Sequence, residues 1–280
     1  MDPSCLDHAL TPEESLQFER DGYFAVENAI PLSLVDALVP AVDRVDREER
    51  ARMGKDAGAR INHYDFIGKD HSFLQLLDWP TTFPKVWGIL GWHIQLYHTH
   101  MTISPPEPAG HTLEEHGLGL GWHQDSGTLN QDLESAPRPR VSLKVAFFLT
   151  DTGELERGNF YVLPGSHLHD AFPGADRKAT VEGATPICVP PGTAVFFDRR
   201  LWHSASANYW TESRRVLFYG YSYRWLRPRD DMTVEHYLED SDPIRKQLLG
   251  VSYSGGRGYT SPTPEDVPLK AWLEEHEQLA

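Results

Sequence analysis

Cysteine is almost absent from this 280-residue chain, with Cys5 and Cys188 the only two. Two cysteines cannot build a disulfide framework, and they suit a reducing compartment, so a cytoplasmic location is expected. They also exclude a four-cysteine zinc site, so any metal must be held by histidine and carboxylate. Basic residues are scarce: 26 Lys and Arg stand against 41 Asp and Glu, a formal charge of −15. Such a chain lacks the basic face of a nucleic-acid binder and is poorly suited to an anionic membrane surface. No apolar run approaches the ~20 residues of a membrane helix. The start, Met1-Asp2-Pro3-Ser4-Cys5, has neither the basic nor the apolar part of a secretory signal. Internal repeats are missing, as is a Gly-x-Ser-x-Gly nucleophile elbow. Gly255-Gly256-Arg257-Gly258 is followed by no Gly-Lys-Ser or Gly-Lys-Thr of a phosphate loop. What remains, with 24% charged and 40% apolar residues, is a globular composition long enough to bury a sizeable core.

The pattern along the chain predicts one domain: a helical region over about 10–90, a β core over about 92–228 and a helical tail over about 229–280. Thr11-Pro12-Glu13-Glu14 is a capping box with proline at the first helical position, and Asp21-Gly22 closes that helix. A longer helix starts at Pro31 with Leu34, Leu38, Val42 and Val45 on one face, and Pro40 is expected to kink it. Tyr23–Val26 reads as a strand after the first helix, and stretches rich in Val, Phe and Tyr predict further strands at His93–Ile103, Val141–Thr150, Asn159–Leu163, Thr193–Asp198 and Arg215–Trp225. Short strands separated by turns such as Pro164-Gly165-Ser166 and Pro190-Pro191-Gly192 indicate a mainly β fold with flanking helices, an antiparallel sandwich or barrel.

Two segments carry chemistry. In Gly121-Trp122-His123-Gln124-Asp125, the His and Asp are two apart and face the same side of an extended chain. His203 follows the strand Thr193–Asp198 after a short turn and completes a two-His, one-carboxylate set, the facial arrangement of non-haem Fe(II) oxygenases. An oxygenase of this kind also needs a cation for the far carboxylate of a dicarboxylate cosubstrate, and Arg214 and Arg215 follow in the next strand. The same three ligands would equally serve a zinc-dependent hydrolase, or remain as relics in a non-catalytic binding protein.

Taken in order, His123-Gln124-Asp125, Gly158-Asn159-Phe160-Tyr161-Val162-Leu163-Pro164-Gly165-Ser166-His167, Pro191–Asp198, His203, Asn208 and Arg214 resemble the phytanoyl-CoA dioxygenase family of Fe(II)/2-oxoglutarate-dependent oxygenases. The resemblance spans roughly residues 10–228. It implies a double-stranded β-helix, a jelly-roll or cupin-like barrel. It also implies iron on His123, Asp125 and His203, 2-oxoglutarate as cosubstrate, O2, and hydroxylation of a small molecule with release of succinate and CO2. Relatives that halogenate have a small residue at the carboxylate position, so Asp125 favours hydroxylation. The family's cosubstrate arginine lies eleven residues after the distal histidine, which selects Arg214, with Arg215 its rival. A family serine two residues after that histidine is replaced by Ala205, so Ser204 or Ser206 would have to supply its hydroxyl.

Other candidates are less sharply placed. Lys144 interrupts an apolar strand and reaches either the cosubstrate or an anionic substrate, or else solvent; alternation alone leaves these open. His98, His100 and Thr102, on the strand before the His-x-Asp pair, are candidates for the cosubstrate or substrate wall. Asn62, His63, Gln124, Asn130 and Trp225 complete the candidate pocket, and Pro105–Gly121, with His111 and His116, is read as a solvated loop.

Overall fold

The computed structural model describes residues 1–279. Thr11 caps helix α1 (Pro12–Asp21) through the predicted box, its hydroxyl accepting from the Glu14 amide and the Glu14 carboxylate accepting from its own. Helix α2 (Leu32–Met53) buries Leu34, Leu38, Val42 and Val45 and carries Pro40 within its span. Among the described residues nine strands follow one another as β1 (Tyr23–Val26), β2 (Ile61–Tyr64), β3 (Ile94–Ser104), β4 (Ser142–Phe148), β5 (Phe160–Val162), β6 (Thr185–Ile187), β7 (Ala194–Asp198), β8 (His203–Ala205) and β9 (Arg214–Tyr223). The predicted strands are all present within two residues at each end. The short β2, β6 and β8 lay outside the prediction, because three or four residues give too little periodicity to read.

The strands form two antiparallel sheets, a larger one in the order β1-β7-β4-β9-β3-β2 and a smaller one in the order β6-β5-β8. Alternation divides the larger sheet cleanly. Leu143, Val145 and Phe147 of β4, with Leu217, Tyr219 and Tyr221 of β9, pack outward in one core with α2 and with the helices Phe83–Leu90 and Pro268–Glu275. Ala146, Phe148, Val216 and Phe218 face inward and meet Phe160, Val162 and Ile187 of the smaller sheet. Lys144 and Arg214 lie on this inward face. The functional cavity sits where the apolar filling between the sheets gives way to polar side chains.

Candidate metal centre

His123 and His203 face each other because the backbone makes them a bonded pair. Each amide donates to the other's carbonyl at 3.0 Å, an antiparallel bridge that extends the smaller sheet beyond β8. Two residues on, the Asp125 amide donates to the Arg199 carbonyl at 2.9 Å, which holds its side chain on the same face. One ligand atom from each of His123, Asp125 and His203 lies within 4.8 Å of the others.

Each ring is oriented from behind. His123 Nδ1 donates to the Gly121 carbonyl at 2.9 Å and His203 Nδ1 to the Leu201 carbonyl at 2.8 Å. That fixes the tautomer and leaves both Nε2 lone pairs for a metal. Burial, and then His123 beside it, lowers the His203 pKa to about 3, so the ring is neutral, as a ligand must be. Burial works against charge on Asp125, but the Lys144 ammonium beside it counters that and the carboxyl is held well below its ordinary range. Lys144 Nζ donates to Asp125 Oδ1 at 2.8 Å, while Oδ2 is buried without a partner among the described residues. One oxygen is spent and the other is free, which suits a carboxylate that would bind metal through a single atom.

The cavity in front of these residues has a volume of about 340 Å³. Four cationic side chains line it, Arg60, Lys144, Arg214 and Arg229, against one carboxylate, Asp125. A chain of net charge −15 therefore encloses a cavity that attracts anions. Arg214 is 2% exposed, and its Nε and Nη2 have no acceptor among the described residues. Burial lowers its pKa to about 9. Gly158, at φ +67°, lies behind this guanidinium stem, and a Cβ there would come within 3.1 Å of Arg214 Cδ. Buried free nitrogens, a free carboxylate oxygen and two free imidazole nitrogens fit a chelated metal together with a dicarboxylate.

Residues 18–216 match the sequence profile of phytanoyl-CoA dioxygenase (PhyH), well over half of the chain. The chain belongs to the phytanoyl-CoA dioxygenase family. Dioxygenase andF of Emericella variicolor is 27% identical over 149 residues, and the chain spans about half the length of that relative (48%), with 51% of its own length matched. The solved structure of SnoK, a non-haem α-ketoglutarate-dependent carbocyclase from nogalamycin biosynthesis, superposes with a TM-score of 0.59 at 20% identity, covering 84% of this chain and 92% of SnoK. HygX from Streptomyces hygroscopicus, solved with nickel and 2-oxoglutarate, gives 0.60 at 15% identity, covering 79% and 90%. The two facing sheets are thus the double-stranded β-helix of this family, a cupin-like barrel with flanking helices.

Within this phytanoyl-CoA dioxygenase fold the remaining candidates separate. Arg215 points to the opposite face of β9 and pairs with Asp43 at 2.7 Å, away from the cavity. Lys144 faces inward, not to solvent. Asn62, His98, His100, Thr102, Gln124 and Ser204 line the cavity. Thr102 donates its hydroxyl to Asn62 Oδ1 at 2.7 Å, and the Gln124 amide is spent on the Arg200 and His169 carbonyls. Ser204 Oγ accepts from the Gly121 amide, and Ser206 Oγ, outside the cavity wall, donates to the Ala207 carbonyl. Of the two serines, Ser204 is the one on the cavity wall beside Ala205.

Three candidates are corrected. His63 points away from the cavity because β2 alternates, and its ring pairs with Asp46. Asn130 is buried behind the site, donating to the Asp125 carbonyl at 2.8 Å and accepting from Arg199. Trp225 is 48% exposed and stacks on Tyr223 beside a separate cavity. Arg60, Tyr64, Arg229 and Asp230 were missed. Their sequence context is unremarkable, and only the pairing of β2 with β3 and the return of the chain after β9 bring them to the site.

Lys144→Met tests the pairing with Asp125. Breaking a buried pair leaves a lone charge, so the metal-free protein is expected to lose about 3 kcal/mol in urea unfolding. Zn(II) should shrink that deficit, because the metal supplies the missing counter-charge. An equal loss with and without Zn(II) contradicts the pairing.

Proposed function

We propose that the chain is an Fe(II)/2-oxoglutarate-dependent oxygenase that hydroxylates a small molecule and releases succinate and CO2. The observation that carries this reading is Arg214. It is a buried guanidinium with no acceptor for Nε or Nη2 among the described residues, in the same cavity as the His123, Asp125 and His203 cluster. A hydrolase built on the same three ligands has no use for such a cation.

Bound iron would supply the redox chemistry with O2. The chain's own residues bind and position. His123, Asp125 and His203 would hold the metal. Arg214 takes the far carboxylate through its forked N–H donors. Lys144, beside Asp125, adds positive charge at the chelating end. Phe160, Phe197 and Phe218 wall the cavity with apolar rings that exclude water.

Anaerobic titration of metal-free protein with Fe(II) and 2-oxoglutarate tests the proposal. A visible charge-transfer band that needs both additives, and is lost in His203→Ala, is the expected result. Iron binding with no band removes 2-oxoglutarate from the mechanism and favours the hydrolase or the non-catalytic binding protein.

A further inference from the structure

One wall of the cavity carries His98 and His100, which are backed by Asp230 and stand apart from the His123, Asp125 and His203 cluster. Asp230 comes from the segment after β9. Its Oδ1 lies 2.7 Å from His98 Nδ1, and its Oδ2 accepts from the Thr99 amide and hydroxyl. His98 Nε2 lies 3.0 Å from His100 Nδ1. The His100 ring is clamped flat against Phe218, with centroids 4.2 Å apart and planes 6° apart. Both imidazoles line the cavity.

The protons in this chain can be placed by elimination. Asp230 accepts from a backbone amide and a hydroxyl, so it is the acceptor, and His98 Nδ1 carries the hydrogen. Burial lowers the His98 pKa, and burial with Lys144 nearby lowers that of His100 much further, so both rings are neutral. A neutral His98 that donates through Nδ1 has only a lone pair at Nε2. His100 must therefore donate through Nδ1, which leaves its own Nε2 as a bare lone pair. No side-chain or backbone group among the described residues fills that position.

This polarity decides what can bind there. Ionised 2-oxoglutarate offers only acceptor oxygens, so a lone pair cannot hold it. His100 consequently belongs to the substrate's part of the cavity. We propose that the Asp230–His98–His100 chain is a fixed hydrogen-bond acceptor for a hydroxyl of the substrate, an alcohol or a phenol, with His100 Nε2 as the contact atom. Asp230 and His98 are positioning residues that set its tautomer. The proposal takes the identity of the cavity from the oxygenase reading, while the proton arrangement stands without metal.

The test is long-range proton–nitrogen NMR of isotope-labelled histidine in the metal-free full-length chain, with His98→Gln and His100→Gln for assignment. Both rings are expected as Nδ1–H tautomers. Phenol is expected to shift the His100 Nε2 signal, and anisole, which has the same ring but no donor, to leave it in place. Asp230→Ala is expected to mix the His100 tautomers and weaken phenol binding about tenfold, as for a net loss near 1.4 kcal/mol. The other histidine signals report whether that variant is folded. An Nε2–H tautomer at His100, no response to phenol, or equal responses to phenol and anisole would overturn the proposal. The iron titration is read separately. A missing charge-transfer band with the expected tautomers sinks the oxygenase reading alone, and a normal band with an Nε2–H His100 sinks this one alone.

Discussion

Asp125→Ala is expected to abolish 2-oxoglutarate turnover, measured as succinate release, and to destabilise the metal-free protein as well. The loss of turnover should exceed the roughly 10–100-fold that follows removal of an outer-shell partner, because a ligand itself is gone. The destabilisation has a separate origin. Lys144 is 3% exposed, and Asp125 is its only acceptor among the described residues. Removing the carboxylate leaves a buried ammonium alone, at a cost of about 3 kcal/mol. The double variant Asp125→Ala with Lys144→Met separates the two effects. It removes both charges, so urea unfolding should return most of the lost stability, while turnover stays at background. Turnover that recovers along with stability would mean that Asp125 serves the fold and not the metal. Unchanged turnover in both Asp125→Ala and His123→Ala would remove this cluster from the chemistry altogether.

The parts of the site that were legible in the sequence share a property: their geometry is local. His123 and Asp125 share a face because an extended chain alternates. Arg214 and Arg215 must point apart for the same reason, and the structure sends Arg215 to Asp43. The capping box of α1 closes within four residues. What was not legible depends on pairing across long separations. The alternation of Lys144 was readable, but which face looks inward is set by which side of the larger sheet the helices cover. Asp230 meets His98 across 132 positions, and Arg60 reaches the cavity only through the short β2. His63 and Trp225 were misplaced because a polar or aromatic residue near a strand is equally compatible with either face. The net charge is equally blind to place: a sum over the chain says nothing of the four cationic side chains gathered in one cavity.

Arg214→Leu is expected to act in opposite directions on stability and on binding. In the metal-free protein, Arg214 is a buried cation whose pKa is lowered by burial to about 9, so folding works against its charge. The sign follows from linkage. The unfolded chain holds this proton more tightly, so below pH 9 the group opposes folding in full, and the penalty fades as pH rises from 9 towards the ordinary arginine range. Leucine removes the buried charge at the cost of the guanidinium's place over the Phe148 ring, so the metal-free variant should be more stable than the parent, by about 1–4 kcal/mol. Cosubstrate binding should collapse. Removing a forked, charge-assisted pair of hydrogen bonds from a dry site costs about 3 kcal/mol or more, which is at least about a hundredfold in the 2-oxoglutarate concentration required. Arg215→Ala gives up a partly exposed pair with Asp43 and should change both quantities by less than about 1 kcal/mol. The parent should also gain thermal stability when 2-oxoglutarate and Zn(II) are added together, by about 2.7 kcal/mol at a hundred times the dissociation constant, and Arg214→Leu should not. Arg214→Leu that binds 2-oxoglutarate as the parent does, or Arg215→Ala that does not, would give the cosubstrate's far carboxylate to a different cation, and Arg60, the other arginine at that end of the cavity, would be the first to test.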